Sequence, residues 1–246
     1  MDRMLYVAMN GAKQNMLAQT ANTNNLANVS TPGFRADYAS FRSMPVFGLG
    51  HPTRVYSMAE RPGIDLNPGG LNTTGNPLDV AVDGDGYIAV QAKDGNEAFT
   101  RAGNLRITAT GLMITAGGEP VLGNAGPISL PPASKIDIAK DGTISIIPMG
   151  QPNDEMEVVG RIKLVNPPAG EIYKGNDGLL RIKDGSTAVA NANVSLISGA
   201  LESSNVNIAE ALVNMIDSAR EFELHVKLMK TADEHADKEM QFVRLG

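Results

Sequence analysis

From Ile208 to Val243 the chain repeats a step of four and then three residues through Ile208, Leu212, Met215, Ala219, Phe222, Val226, Met229, Asp233, Ala236, Met240 and Val243. Ten of these eleven positions are apolar, and charged residues such as Glu210, Asp217, Arg220, Glu221, Lys227 and Lys230 fill the positions between them. A period of 3.5 residues keeps one helix stripe against a partner helix as the two supercoil. No Gly or Pro interrupts residues 200–245. At 1.5 Å per residue the span from Ile208 to Val243 is about 54 Å, too long for a helix lying on a small globular core. The C-terminus therefore reads as an assembly device. Asp233, its one charge, either fixes register at some cost in stability or faces a water-filled channel.

A weaker version of the same spacing opens the chain, at Leu5, Met9, Ala12, Met16, Gln19, Thr23 and Leu26. It predicts a first helix ending near Asn28, because Pro32 cannot continue a helix and Gly33 permits a reversal. Met recurs on both stripes at Met9, Met16, Met215, Met229 and Met240. An unbranched thioether is either plain core filler or a surface that fits several slightly different neighbours.

Between these arms the composition changes. Twenty of the 26 Gly lie between residues 61 and 190, and all 14 Pro lie between 32 and 168. Residues 78–198 show period-2 alternation at Leu78/Val80/Val82, Ile136/Ile138, Ile144/Ile146 and Ile162/Leu164, separated by Asp-Gly pairs. Asp-Gly between alternating segments predicts hairpins with type I′ turns. The expected architecture is α+β: N- and C-terminal helices packed as a coiled coil, and a central antiparallel β domain that is a sandwich or distorted barrel. The expected divisions are 1–33 for the N-terminal helix, 34–77 for an extended connector, 78–198 for the β domain and 199–246 for the heptad helix. Within the connector, one short strand is expected at Thr53–Met58.

Composition and motif search exclude several classes. The formal charge of −6 and the absence of any Lys/Arg cluster argue against a nucleic-acid surface. There is no Cys, hence no disulfide framework and no Cys-based metal site or nucleophile. No apolar run reaches the ~18 residues of a membrane span, and Leu5–Met9 is too short for the apolar core of a secretory signal. His225 and His235, ten residues apart, lack the spacing of a zinc-protease helix, and His51 reads as a loop residue. The Asp83-Gly84-Asp85-Gly86 run lacks the further oxygen ligands of a calcium loop, since Tyr87 and Asp94 stand where they would be needed. No nucleophile elbow, phosphate loop or dinucleotide fingerprint occurs. No catalytic, cofactor-binding or metal residue is assigned, and no enzyme activity is expected.

Four blocks in order resemble the flagellar rod and hook family. They are Asn24-Asn25-Leu26-Ala27-Asn28-Val29-Ser30-Thr31-Pro32-Gly33-Phe34; Leu71 to Val82; Phe99-Thr100-Arg101-Ala102-Gly103-Asn104-Leu105; and Gly199-Ala200-Leu201-Glu202-Ser203-Ser204-Asn205-Val206. The opening Met1-Asp2-Arg3-Met4-Leu5-Tyr6 and the 246-residue length are similar to the proximal-rod members, with distal-rod members as the alternative. The resemblance implies a structural axial subunit of the bacterial flagellar basal body. Such a subunit self-assembles into a hollow helical tube that carries torque from motor to hook and conducts exported subunits. It implies a rod within the periplasm, reached through the flagellar export apparatus without a cleaved signal peptide. The implied partners are other copies of the chain, other proximal-rod proteins and the distal-rod protein. A secreted β-rich enzyme, or an adhesin with a coiled-coil oligomerisation tail, is the alternative of another class.

Overall fold

The computed structural model describes residues 3–45, 55–149 and 156–245. The chain divides into two compact units. The first comprises residues 1–29, 37–65 and 206–246, and the second residues 30–36 and 66–205, so the backbone passes between them four times, at 29/30, 36/37, 65/66 and 205/206.

The first unit is built on two helices, α1 (Arg3–Ala27) and α2 (Ile208–Leu245), which pack against each other. The uninterrupted run of helix-compatible residues lets α2 extend for 38 residues, about 57 Å. Its start is fixed by Asn207, whose Oδ1 accepts the backbone N–H of Ala209 at 3.0 Å and of Glu210 at 3.4 Å. These are two of the donors that a helix N-terminus leaves unpaired. α1 stops where Asn28 turns back on it, donating through its backbone N–H to Asn24 O at 3.2 Å and through Nδ2 to the same oxygen at 2.9 Å.

An antiparallel hairpin, Asp37–Pro45 with Val55–Ile64, packs on α1. It occupies much of the stretch expected to be a connector with one short strand at Thr53–Met58. The second strand begins at Val55 and runs six residues beyond Met58, while Thr53 lies outside the described residues.

The second unit is antiparallel β throughout its ladders. A five-stranded sheet contains Tyr87–Gln91, Glu97–Thr100, Leu164–Val165, Ile172–Lys174 and Leu180–Ile182, a three-stranded sheet contains Ala133–Ile138, Thr143–Pro148 and Glu157–Arg161, and the remaining described strands form pairs. Its core includes Val80, Ile88, Val90, Met113, Val121, Ile144, Ile146, Ile162 and Leu196. The alternation at 80/82, 144/146 and 162/164 thus marks inward-facing positions. The described strands do not close into a barrel. Many are only two to four residues long, too short to sustain the continuous stagger that closure requires.

Asp-Gly pairs 94–95, 141–142 and 177–178 lie in hairpins, but not with type I′ turns, whereas 83–84 and 184–185 do not join paired strands among the described residues. No residue other than Gly has a positive φ among those described. In the turn at 139–142, Gly142 donates to Ala139 O and has φ 84°, while Asp141 keeps a negative φ and its Oδ1 accepts Thr143 N at 3.1 Å. The turn at 92–95 repeats this with Gly95 and Asp94. These are type I turns closed by a left-handed Gly, the geometry of three-residue hairpin loops. The Asp side chain bonds the backbone two residues on instead of entering the left-handed region itself.

Candidate assembly surface

α1 and α2 run antiparallel, as three side-chain contacts show. Gly11 lies against His225, Asn15 Nδ2 donates to Glu221 Oε2 at 2.9 Å, and Asn22 Nδ2 donates to Ala211 O at 2.7 Å. The approach is close because α1 presents small residues. Ala8 and Ala12 are buried, and a Cβ added to Gly11 would stand 2.4 Å from His225 Cε1. On α2 the inward positions are Ala211, Met215, Ser218, Phe222, His225, Met229, Ala232 and Ala236, at least partly buried and again spaced four and three.

Of the residues singled out on the heptad, the inward face includes Ala12, Met215, Phe222, Met229 and Ala236, with Leu5 and Leu26 partly buried. Met9, Met16, Ile208, Leu212, Ala219, Val226, Asp233 and Met240 are exposed, and the side chain of Val243 lies outside the described residues. Around them Val7, Leu17, Val213, Ile216, Leu224 and Leu228 are exposed as well. The buried apolar residues of this unit are Ala8, Ala12, Ala211 and Ala232, alanines only, among the described residues. Eighteen of the twenty-four exposed large apolar side chains described belong to this smaller unit. A helix pair whose core is alanine, and whose large apolar residues face outward, has unsatisfied burial on several sides.

The motif at 24–34 runs from the first unit into the second and makes bonds within each. Asn25 grips Asp37, the root of the hairpin, from both sides: its Nδ2 donates to Asp37 O at 2.9 Å and its Oδ1 accepts Asp37 N at 2.8 Å. Asn24 Nδ2 adds a bond to Asp37 Oδ2 at 3.0 Å. Ala27, Ser30 and Thr31 are exposed, and Pro32 is partly buried. In the second unit, Gly33 donates to Glu202 O at 2.8 Å with φ 68°, and a Cβ there would stand 2.2 Å from the Arg101 carbonyl carbon. The ring of Phe34 lies 3.8 Å from Lys174 Nζ.

Sequence reasoning missed the centre of this region. Glu202, 1% exposed, sits between two buried arginines: Arg35 Nη2 lies 2.9 Å from Glu202 Oε1, and Arg101 Nη1 lies 2.9 Å from Oε2. Gly69 N donates to Oε1 at 3.0 Å, Arg101 Nη2 donates to Gly84 O at 2.6 Å, and Arg35 Nη1 donates to Asn67 O. The Arg101 guanidinium also rests over the Tyr87 ring, 5.3 Å from its centre, and burial pushes the Tyr87 hydroxyl pKa up. A carboxylate this deep needs paired cations. Its only sequence signal is that Arg101 and Glu202 lie in two of the resemblance blocks and Arg35 directly follows another.

Neither feature is catalytic in form. Among the described residues no group of three or more His, Cys, Asp or Glu is placed to hold a metal, and no helix is long and apolar enough to cross a membrane. Residues 5–35 match the family described as flagella basal body rod protein, 81–146 the flagellar hook protein FlgE/F/G D1 domain, and 197–241 the flagellar basal body rod FlgEFG protein C-terminal family. The chain is 42% identical to the flagellar basal-body rod protein FlgF of Escherichia coli (strain K12) and of Salmonella typhimurium, over the whole of each chain. It belongs to the flagellar basal-body rod protein family. Similarity to the FlgG rod protein of Bacillus subtilis is lower, 29% identity over 94% of this chain and 96% of that one. Rod-family proteins are structural, not enzymes, and the enzyme and adhesin alternatives are not favoured. Each of the three family matches contributes one member of the ion cluster: Arg35, Arg101 and Glu202.

Proposed function

We propose that this rod-family chain is an axial subunit of the proximal rod. In this reading α1 and α2 pack as a coiled coil with the helices of neighbouring copies and of other proximal-rod proteins, and the β unit makes lateral contacts. The distal-rod protein lies beyond it. The resulting hollow tube, within the periplasm, transmits torque and conducts subunits delivered by the flagellar export apparatus, which takes the chain without cleaving a signal peptide. The observation that carries this reading is the alanine-only core of the helical unit beneath exposed Leu212, Val213, Ile216, Leu224, Val226 and Leu228. Covering the exposed part of each such side chain is worth about 1 kcal/mol. A marginal helix pair gains most of its stability on assembly. The higher identity to the two FlgF relatives named above than to the FlgG relative supports the proximal position.

The test replaces Leu212 and Val226 together by Asp. Both residues are exposed, 41% and 44%, and both belong to the helical unit, so the β unit and its circular dichroism are expected to be unchanged. Incorporation into isolated basal bodies is expected to be lost. Normal incorporation of the double variant would overturn the proposed surface.

A further inference from the structure

The chain has twelve Met and no Cys, so its sulfur chemistry is entirely thioether. Exposed Met are concentrated on the helical unit: Met4, Met9, Met16, Met44 and Met240, against Met149 and Met156 on the β unit. Met9 is 54% and Met16 56% exposed, whereas Met113 in the β core is 0%. Met9 and Met16 are one heptad apart on α1, so both lie on one face, about a quarter turn from the Ala8–Ala12 face that meets α2. Lys13 stands between them, four residues after Met9 and three before Met16, and no further ionisable side chain occurs before Arg35.

We propose that Met9 and Met16 form an oxidation-sensitive site whose conversion to methionine sulfoxide blocks addition of the chain to the rod. The inference rests on the assembly reading above. In the reaction the thioether sulfur attacks one oxygen of hydrogen peroxide. The S–O bond forms as the O–O bond breaks, and water leaves. Sulfur is oxidised by two electrons and peroxide is reduced. The product replaces a soft apolar tip with a strong polar acceptor. Burying that acceptor on assembly costs more than burying the thioether, so each sulfoxide weakens docking about tenfold. Oxidation acts on the free chain, because assembly covers the same sulfurs. Sulfoxide reduction restores the thioether.

The full-length chain is treated with hydrogen peroxide, sulfoxide at each Met is mapped by mass spectrometry, and addition to isolated basal bodies is measured. The expected result is rapid oxidation at Met9 and Met16, none at Met113, and at least about a tenfold loss of incorporation, reversed by methionine sulfoxide reductase. M9L/M16L is expected to resist the treatment, and M149L/M156L to remain as sensitive as the parent. Full incorporation of protein oxidised at Met9 and Met16 overturns the inference. So does protection by M149L/M156L in place of M9L/M16L. If M9L/M16L incorporates poorly before treatment, reductase rescue of the oxidised parent decides instead, and failure of that rescue overturns the inference. A Leu212/Val226 double Asp variant that incorporates normally would instead overturn the assembly reading itself, so the two failures are separable.

Discussion

Removing the carboxylate of Glu202 tests whether the buried ion cluster governs the β unit. Glu202→Ala deletes two ion pairs at 2.9 Å and the acceptor of the Gly69 amide, and takes from two buried guanidiniums the carboxylate they share. Breaking a buried pair by deleting one partner costs about 3–5 kcal/mol, a large share of the 5–15 kcal/mol typical of a whole domain. Glu202 is the member paired with both others. Arg101→Met therefore leaves a balanced Arg35–Glu202 pair and is expected to cost less, about 2 kcal/mol. Glu202→Gln keeps the shape and the Gly69 bond and is expected to fall between them. Hydrogen exchange of the 197–205 segment, read together with urea unfolding of the full chain, gives the local and the global cost. A loss below about 1 kcal/mol for Glu202→Ala, or a larger loss for Arg101→Met than for Glu202→Ala, would refute the charge argument.

Gly11→Ala places a methyl 2.4 Å from His225 Cε1. It is expected to destabilise the helix pair by about 1–3 kcal/mol despite the better helix propensity of Ala, seen as reduced helical circular dichroism; unchanged or increased helicity would count against the notch. Hydrogen bonds from Asn96 to Asp94, from Thr143 to Asp141 and from Arg181 to Asp177 hold these carboxyls below their usual pKa. A depressed carboxylate contributes stability above its unfolded pKa and loses it as pH falls through the folded one, so the urea midpoint of the β unit is expected to hold near neutrality and drop below about pH 4. Asp141→Asn should shrink that drop, and an equal drop in the variant would remove Asp141 from the explanation.

The helices were legible because their apolar period runs for many turns without a breaker. The inward phase was legible only in part: Met215, Phe222, Met229 and Ala236 face inward. Ile208, Leu212 and Val226 are larger than Ala211, Ser218 and Ala232, so periodicity weighted by hydrophobicity selects the outward residue at those turns. Size, and not greasiness, decides which side of α2 can approach Gly11 and Ala12 closely. The hairpin at 37–64 was obscured because Tyr38, Phe41, Met44 and Val55 are exposed and prolines punctuate it. The Asp-Gly turns were legible as turns, but whether Asp itself enters the left-handed region depends on the two-residue return bond that its carboxylate makes. The Arg35–Arg101–Glu202 cluster was invisible to hydropathy, which assigns charged residues to the surface. Only their meeting from three distant segments turns them into core.

Because the backbone crosses between its two units four times, four covalent links join them. A single peptide cleavage at any one crossing leaves three intact links. For a component under repeated twisting load, such a layout tolerates a nick that would sever a protein built as beads on one thread.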